Sequence, residues 1–263
     1  VAGQGGSLPA GFGSYLRFEG TGAGRVDRVE IPVDGPGAPD VGAGAFTVEL
    51  WLRGTRDQNR TGVLTCGATY GWITGHVVVD RDRWPWSGPD GHDWGLSVGA
   101  DGSVAFGADD AVEAHTVCTA GVDVLDGRWH HVAAQRRSTV LELWVDGSRV
   151  ASGTAPAGDL RYPDGAPGAR DTDPYLVLGA EKHDAGSAYP SFSGSIDELR
   201  LSPVARYSVD FAVPAGPFVL DGSTAALYHF DEGSGSTAAA SPTATAVAVL
   251  RRSASGAPVW MHH

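Results

Sequence analysis

What most constrains this chain is its rhythm: short apolar or alternating segments recur from end to end, separated by Gly, Pro and Asp, and no helical i, i+3, i+4 stripe lasts three turns. Segments such as YLRFEG, AFTVELWLRG, WGLSVGADGSVAFGAD and VLELWVDGSRVASG have the length and period of two expected of strands. Asp101-Gly102 and Asp146-Gly147 sit between paired apolar runs, where Asp-Gly supplies the positive φ of a tight hairpin. The 38 glycines and 16 prolines among 263 residues suit a turn-rich molecule of this kind. The expected fold is all-β, an antiparallel β-sandwich in one domain spanning 14–260, with residues 1–13 a loose glycine-rich lead. The final MHH is set aside as native sequence or a tag remnant.

A net charge of −12 argues against nucleic acid as a partner, because that binding rests on cations neutralising phosphates. No apolar run approaches the roughly 20 residues that cross a bilayer. A start at Val1 without a signal sequence fits a secreted or cell-surface protein whose signal peptide has been removed. Lys182 and Asn59 are the only lysine and asparagine, a bias typical of a bacterial GC-rich gene. Cys66 and Cys118 lack zinc-module spacing; they form a disulfide in an oxidising compartment or remain two buried thiols, and both lie in strand-like stretches, VLTCGA and HTVCTAG.

The segment DGRWHHVAAQRRSTVLELWVDG carries adjacent histidines, His130 and His131. Period-two alternation turns them to opposite faces, so they cannot jointly hold one ion or serve one substrate, and both are expected to be structural.

This same segment resembles the central hairpin of LamG-like jelly-roll domains of the concanavalin A-like lectin/glucanase superfamily, where G-x-W-H-x-V precedes a strand ending in V-D-G. YLRFEG with AFTVELWLR, then YLVLGAE, then FSGSIDELRLS follow the family's order across roughly residues 15–202. ALYHFDEGSGSTAAASPTA, residues 226–244, resembles the family's opening strand and loop but follows the closing strand, which suggests circular permutation. The resemblance implies a jelly roll that hosts lectins, hydrolases and structural modules alike. It also implies a structural calcium held by Asp197 and the Glu19-Gly20 pair. The paired-carboxylate E-x-D-x-x-E signature of the superfamily's glucanases is missing, so catalysis is not expected.

Two polar, aromatic loops are the candidate ligand sites. VVVDRDRWPWSGPDGHDWG carries Asp80, Asp82, Trp84, Trp86, Asp93 and Trp94, and EKHDAGSAYPSF carries Glu181, His183, Asp184 and Tyr189. Exposed tryptophans could stack on sugars beside hydroxyl-binding carboxylates, and the acids could hold a second calcium; the plainer alternative is a tryptophan plug at the end of the sandwich. If the loops meet, they frame a shallow binding surface. The function expected is non-catalytic recognition or adhesion toward carbohydrate or a surface protein. Rival readings are a self-associating structural subunit of an extracellular assembly and a polysaccharide-degrading enzyme.

Overall fold

The computed structural model describes residues 11–20, 27–35, 37–83, 91–162, 174–251 and 258–263, and among these it contains strands and turns but no helix. Among the described residues all strand-to-strand pairings are antiparallel, and one isolated bridge, Val77 to Ser191, is parallel. One sheet runs β10 (Ser148–Thr154), β9 (Val140–Val145), β8 (His130–Arg137), β3 (Phe46–Gly54), β12 (Ser193–Ser202), β1 (Ser14–Glu19) and β16 (Val259–His262), with β13 (Ala226–Tyr228) also on β12. The other runs β14 (Thr237–Ala238), β15 (Ala248–Arg251), β2 (Arg28–Pro32), β11 (Tyr175–Leu178), β4 (His76–Arg81), β5 (Asp93–Val98), β6 (Val104–Asp109) and β7 (Ala114–Cys118).

The inward positions of the two sheets make one core. Leu50, Leu52, Val132 and Leu143 of the first meet Val79, Leu96, Phe106 and Leu178 of the second, all fully buried. Each such side chain contributes about 1.5–3 kcal/mol by leaving water. Both hairpins read from Asp-Gly are present, and at the second both turn residues have positive φ, Asp146 at 49° and Gly147 at 80°, as a type I′ turn requires.

The C-terminal segment adds strands to both sheets. Along one edge of β12, β1 pairs its first half (Glu19 with Ser193) and β13 its second (Leu199 with Tyr228), while β15 pairs β2. Leu227, Tyr228 and Phe230 are buried. The last residues, set aside from sequence, belong to the fold. β16 pairs β1, and the His263 ring lies 4.6 Å from Tyr15 and 5.7 Å from Trp129. Phe12, expected in a loose lead, packs edge-on against Trp51 at 6.1 Å.

Cys66 and Cys118 form a disulfide with Cα atoms 5.5 Å apart. Cys66, however, is not in a strand. Residues 66–75 form successive turns and bends, with the Thr65 N–H donating to the Gly71 carbonyl and the Gly75 N–H to that of Trp72. These turns lay the Trp72 indole across the outer face of the second sheet. A Cβ at Gly95 or Gly107 would come within 2.1 or 1.8 Å of that ring, so only glycine admits it. The disulfide ties the covering segment to edge strand β7.

Candidate functional site

The site grows from the ends of three neighbouring strands. In β5, Trp94, Leu96 and Val98 face the core, so Asp93, Gly95 and Ser97 face outward under the Trp72 segment. Asp80 of β4 pairs with Gly95 and so shares that outer face; Asp82 follows as β4 ends. On the other flank β11 pairs Val177 with Asp80, and the chain then turns at Gly179, φ +85°, where a Cβ would overlap the Phe18 ring at 2.3 Å. That turn brings 180–184 across the outer face, and Lys182 N–H donates to Asp80 Oδ2 at 2.8 Å.

Asp82, Glu181 and His183 thereby offer ligand atoms that all lie within 4.8 Å of one another. His183 Nδ1 is 2.8 Å from Asp82 Oδ2, and the Asp184 N–H donates to Glu181 Oε2. A cavity of about 110 Å³ opens beside them, lined among others by Tyr70, Trp72, Asp93 and Tyr189. Described residues of both loops singled out in sequence, Asp82 and Asp93 of one and Glu181, Asp184 and Tyr189 of the other, line this one cavity.

The cluster is electrostatically uncomfortable. Burial raises the Asp80 carboxyl well above its ordinary range, and the charges of Asp82 and Glu181 raise it further. Burial and Asp82 likewise lift Asp93 and Glu181. Asp80 Oδ1 is buried without a hydrogen-bond partner among the described residues. Lys182 and Arg81 offset part of this: the Lys182 charge lowers Asp80 and the Arg81 charge lowers Asp93, while Lys182 Nζ donates to the Asp82 carbonyl at 2.9 Å and lies 5.0 and 4.7 Å from the Tyr162 and Tyr175 ring centres.

Other expected site residues fall elsewhere. Trp94 is 1% exposed and tilted against Phe46 at 5.3 Å, so it is core and not an exposed platform; alternation in β5 points it inward. Trp84 and Trp86 lie outside the described residues. The aromatic groups that do line the cavity include Tyr70 and Trp72, which the sequence reading passed over. Their signal is the pair Gly95 and Gly107, directly opposed in register on the outer face, a bare groove that needs a flat filler.

The calcium residues inferred from resemblance do not converge. Glu19 pairs with Ser193, four residues and roughly 13 Å along the strand from Asp197. With Gly20 next to Glu19, they cannot hold one ion together. Asp197 instead bonds His263 Nε2 at 3.1 Å, and burial, reinforced by neighbouring Glu198, pushes its carboxyl up to about 9.

The two histidines part as alternation requires. His131 is fully buried with Nε2 3.0 Å from Glu49 Oε2, while His130 lies between Asp146 and Asp126 at 2.8 and 3.1 Å. A larger cavity of about 350 Å³ adjoins His130. Its carboxylates are already engaged: Asp126 accepts from Arg128 N–H, Asp146 from His131 N–H, and Asp123 pairs with Arg56 at 2.9 Å.

Comparison with known proteins agrees with this architecture. A protein of Bacteroides ovatus proposed to bind carbohydrate superposes with a TM-score of 0.56 at 14% identity, over 95% of this chain and 62% of that one. Domains LG4-5 of the mouse laminin α1 chain give 0.45 at 19% identity, over 80% of this chain and 45% of that one. The chain therefore spans less than two thirds of either. A CBM40 module of a Ruminococcus gnavus sialidase gives 0.44 at 14% identity, over 71% and 90%. A search of curated proteins returns no match. The laminin-G family model of the concanavalin A-like lectin/glucanases superfamily matches residues 27–208, more than half of the sequence, and to that family this chain belongs.

Proposed function

We propose that the chain is a non-catalytic recognition module that binds a carbohydrate, presented on a glycan or an extracellular surface, where Asp82, Arg83 and Asp93 meet the 181–189 segment. One observation carries this reading: Asp82 and Glu181, with His183 bonded to Asp82, meet at a cavity that Asp82 and Glu181 line together with Tyr70, Trp72 and Tyr189. Carboxylates accept hydrogen bonds from sugar hydroxyls, and a ring edge offers the apolar contact that a sugar face needs. At about 110 Å³ the cavity is well below the size that engulfs a whole ligand, so it reads one protruding group, such as the end of a glycan chain. The solved relatives share the fold at low identity, and the ligand class rests on this cavity's own chemistry. The disulfide supports export to an oxidising compartment.

A glycan array screened with the full chain tests the reading. Bound glycans should be lost with Tyr189→Ala and Asp82→Asn at unchanged melting temperature, and retained with His130→Gln at the far cavity. No bound glycan, or binding indifferent to both cavity variants, would remove the proposal.

A further inference from the structure

We infer that Asp82, Glu181 and His183 form a binding site for one divalent cation of the zinc class, with its open coordination positions facing the cavity. The geometry is that of a three-ligand centre. Two carboxylates from different segments and one imidazole already lie within 4.8 Å of each other, a spacing that an ion with bonds near 2 Å can span with small side-chain adjustments. The His183 Nδ1 to Asp82 Oδ2 hydrogen bond shows that both side chains are aimed at a common point. In the metal-bound state the ion replaces the proton between them.

A second, independent observation points the same way. Asp80 is fully buried, and its Oδ2 is held by the peptide N–H of Lys182, the residue between the two ligands Glu181 and His183. Its Oδ1, on a carboxylate anchored between those two ligands, has no partner among the described residues. A lone buried carboxylate oxygen is costly, and a cation above it supplies the missing counter-charge. Asp93, also nearly buried, adds a further acid to the cavity wall. Lys182 and Arg81 offset only part of the mutual repulsion of Asp80, Asp82, Asp93 and Glu181, and a cation would offset the rest.

The donor set selects the ion. Calcium takes oxygen ligands, whereas an imidazole nitrogen beside carboxylates suits zinc, and manganese less strongly. The cavity volume, about 110 Å³, has room for several waters, so the positions not taken by protein open onto solvent-sized space. A sugar's adjacent hydroxyls or a carboxylate could there replace water on the ion.

This inference rests on reading the cavity as a ligand site, but it can be tested without any glycan. The full chain, stripped with chelator, is titrated with Zn²⁺ by calorimetry and melted with and without Zn²⁺, Mn²⁺ and Ca²⁺. One zinc per chain should bind, the melting temperature should rise with zinc, and excess calcium should not displace it. Glu181→Gln and His183→Gln should each weaken zinc binding at least tenfold. The His183 ring is buried against Asp82, so the melting temperature of metal-free His183→Gln beside that of the metal-free parent separates loss of metal from loss of structure. His262→Ala, at the C-terminal strand, should change nothing. Absence of saturable zinc uptake, uptake indifferent to His183→Gln, or calcium binding equally well would overturn the site. Zinc uptake with no glycan bound would keep the metal centre and remove the recognition reading; glycan binding without zinc uptake would do the reverse.

Discussion

The outer faces of the two sheets set the same problem, buried acids, and treat it in opposite ways. On the first sheet Glu49 is fully buried, yet His131 Nε2, Arg200 Nε and the Tyr207 hydroxyl all engage it, at 3.0, 2.7 and 2.5 Å. The stretch 204–221 roofs this network, with Gln135 donating to the Tyr207 carbonyl and Phe218 N–H to Glu198 Oε2. On the second sheet Asp80, Asp82, Asp93 and Glu181 crowd together under Trp72 and beside a cavity, and burial with mutual repulsion lifts the carboxyls of Asp80, Asp93 and Glu181. One face has its counter-charges hydrogen-bonded to the acid; on the other, Lys182 and Arg81 only partly offset the burial and repulsion, so Asp80 and Asp93 stay raised. That imbalance beside an opening is the reason for proposing a ligand there.

The largest effect should separate the faces directly. Glu49→Ala strands Arg200 and His131 in the interior and should cost about 3–5 kcal/mol in urea unfolding, as breaking a buried ion pair does. A loss below about 1 kcal/mol would show that the roofed network is not what holds this face. The same carboxylate predicts an acid limb. Burial alone would raise its pKa, but the His131 and Arg200 partners outweigh it and hold Glu49 at about 2. Its folded value lies below the unfolded one, so its contribution is full above pH ~4.5 and is lost as pH falls toward ~2, up to about 3 kcal/mol. Glu49→Gln should flatten that limb; an unchanged acid limb in the variant would contradict the assignment.

Next in size is the clamp on the open face. Cys66→Ser with Cys118→Ser frees the segment that carries Trp72, and for a loop spanning a sequence separation of 52 residues the expected loss is about 2–4 kcal/mol. Because Trp72 rests on Gly95 and Gly107, the tryptophan emission should shift red and zinc affinity should fall in the double variant. Lost stability with unaltered zinc binding would mean that the clamp serves the scaffold alone.

The sandwich was legible because its inward positions obey period two, and because Asp-Gly names its own turn. Sequence alternation fails where a face is roofed. Thr47, Glu49, His131, Gln135 and Arg200 look like solvent-facing partners of apolar neighbours, yet all are buried under a segment whose docking is set by long-range contacts. Cys66 misled for a similar reason: VLTCGA has the composition of a strand, but Gly71 needs Thr65 against its missing Cβ at 1.9 Å, which imposes turns. The only asparagine looks like a glycosylation sequon, but Asn59 is buried and clasps the backbone of Ser193 through both its amide atoms. At the candidate site the acids and His183 could be read from loop composition, whereas their convergence depends on the β4–β11 pairing and the turn at Gly179, which no local pattern encodes.

The smallest expected effect has the opposite sign from the first. Asp80→Asn keeps an oxygen to accept the Lys182 N–H and replaces with a neutral NH₂ the Oδ1 that has no partner among the described residues, removing a charge that Asp82 and Glu181 repel. In chelator-treated protein it should therefore be neutral or stabilising by about 1 kcal/mol or less, in contrast to other changes of a buried polar group. The pH dependence fixes the cause. Because burial and the Asp82 and Glu181 charges raise the folded-state pKa of Asp80, the folded chain holds that proton to higher pH than the unfolded chain does. Stability then falls as pH climbs from the unfolded value near 4 toward the raised folded one, and the variant's advantage should be nil below pH ~4 and grow above it. Added zinc should invert the ranking, since the ion draws on the charge that the substitution removes. Urea midpoints of both proteins at pH 4, 6 and 8, with and without zinc, decide the matter. A variant less stable than the parent at every pH without metal would mean that Asp80 is an ordinary buried acceptor, and that the two faces of the sandwich do not differ as argued.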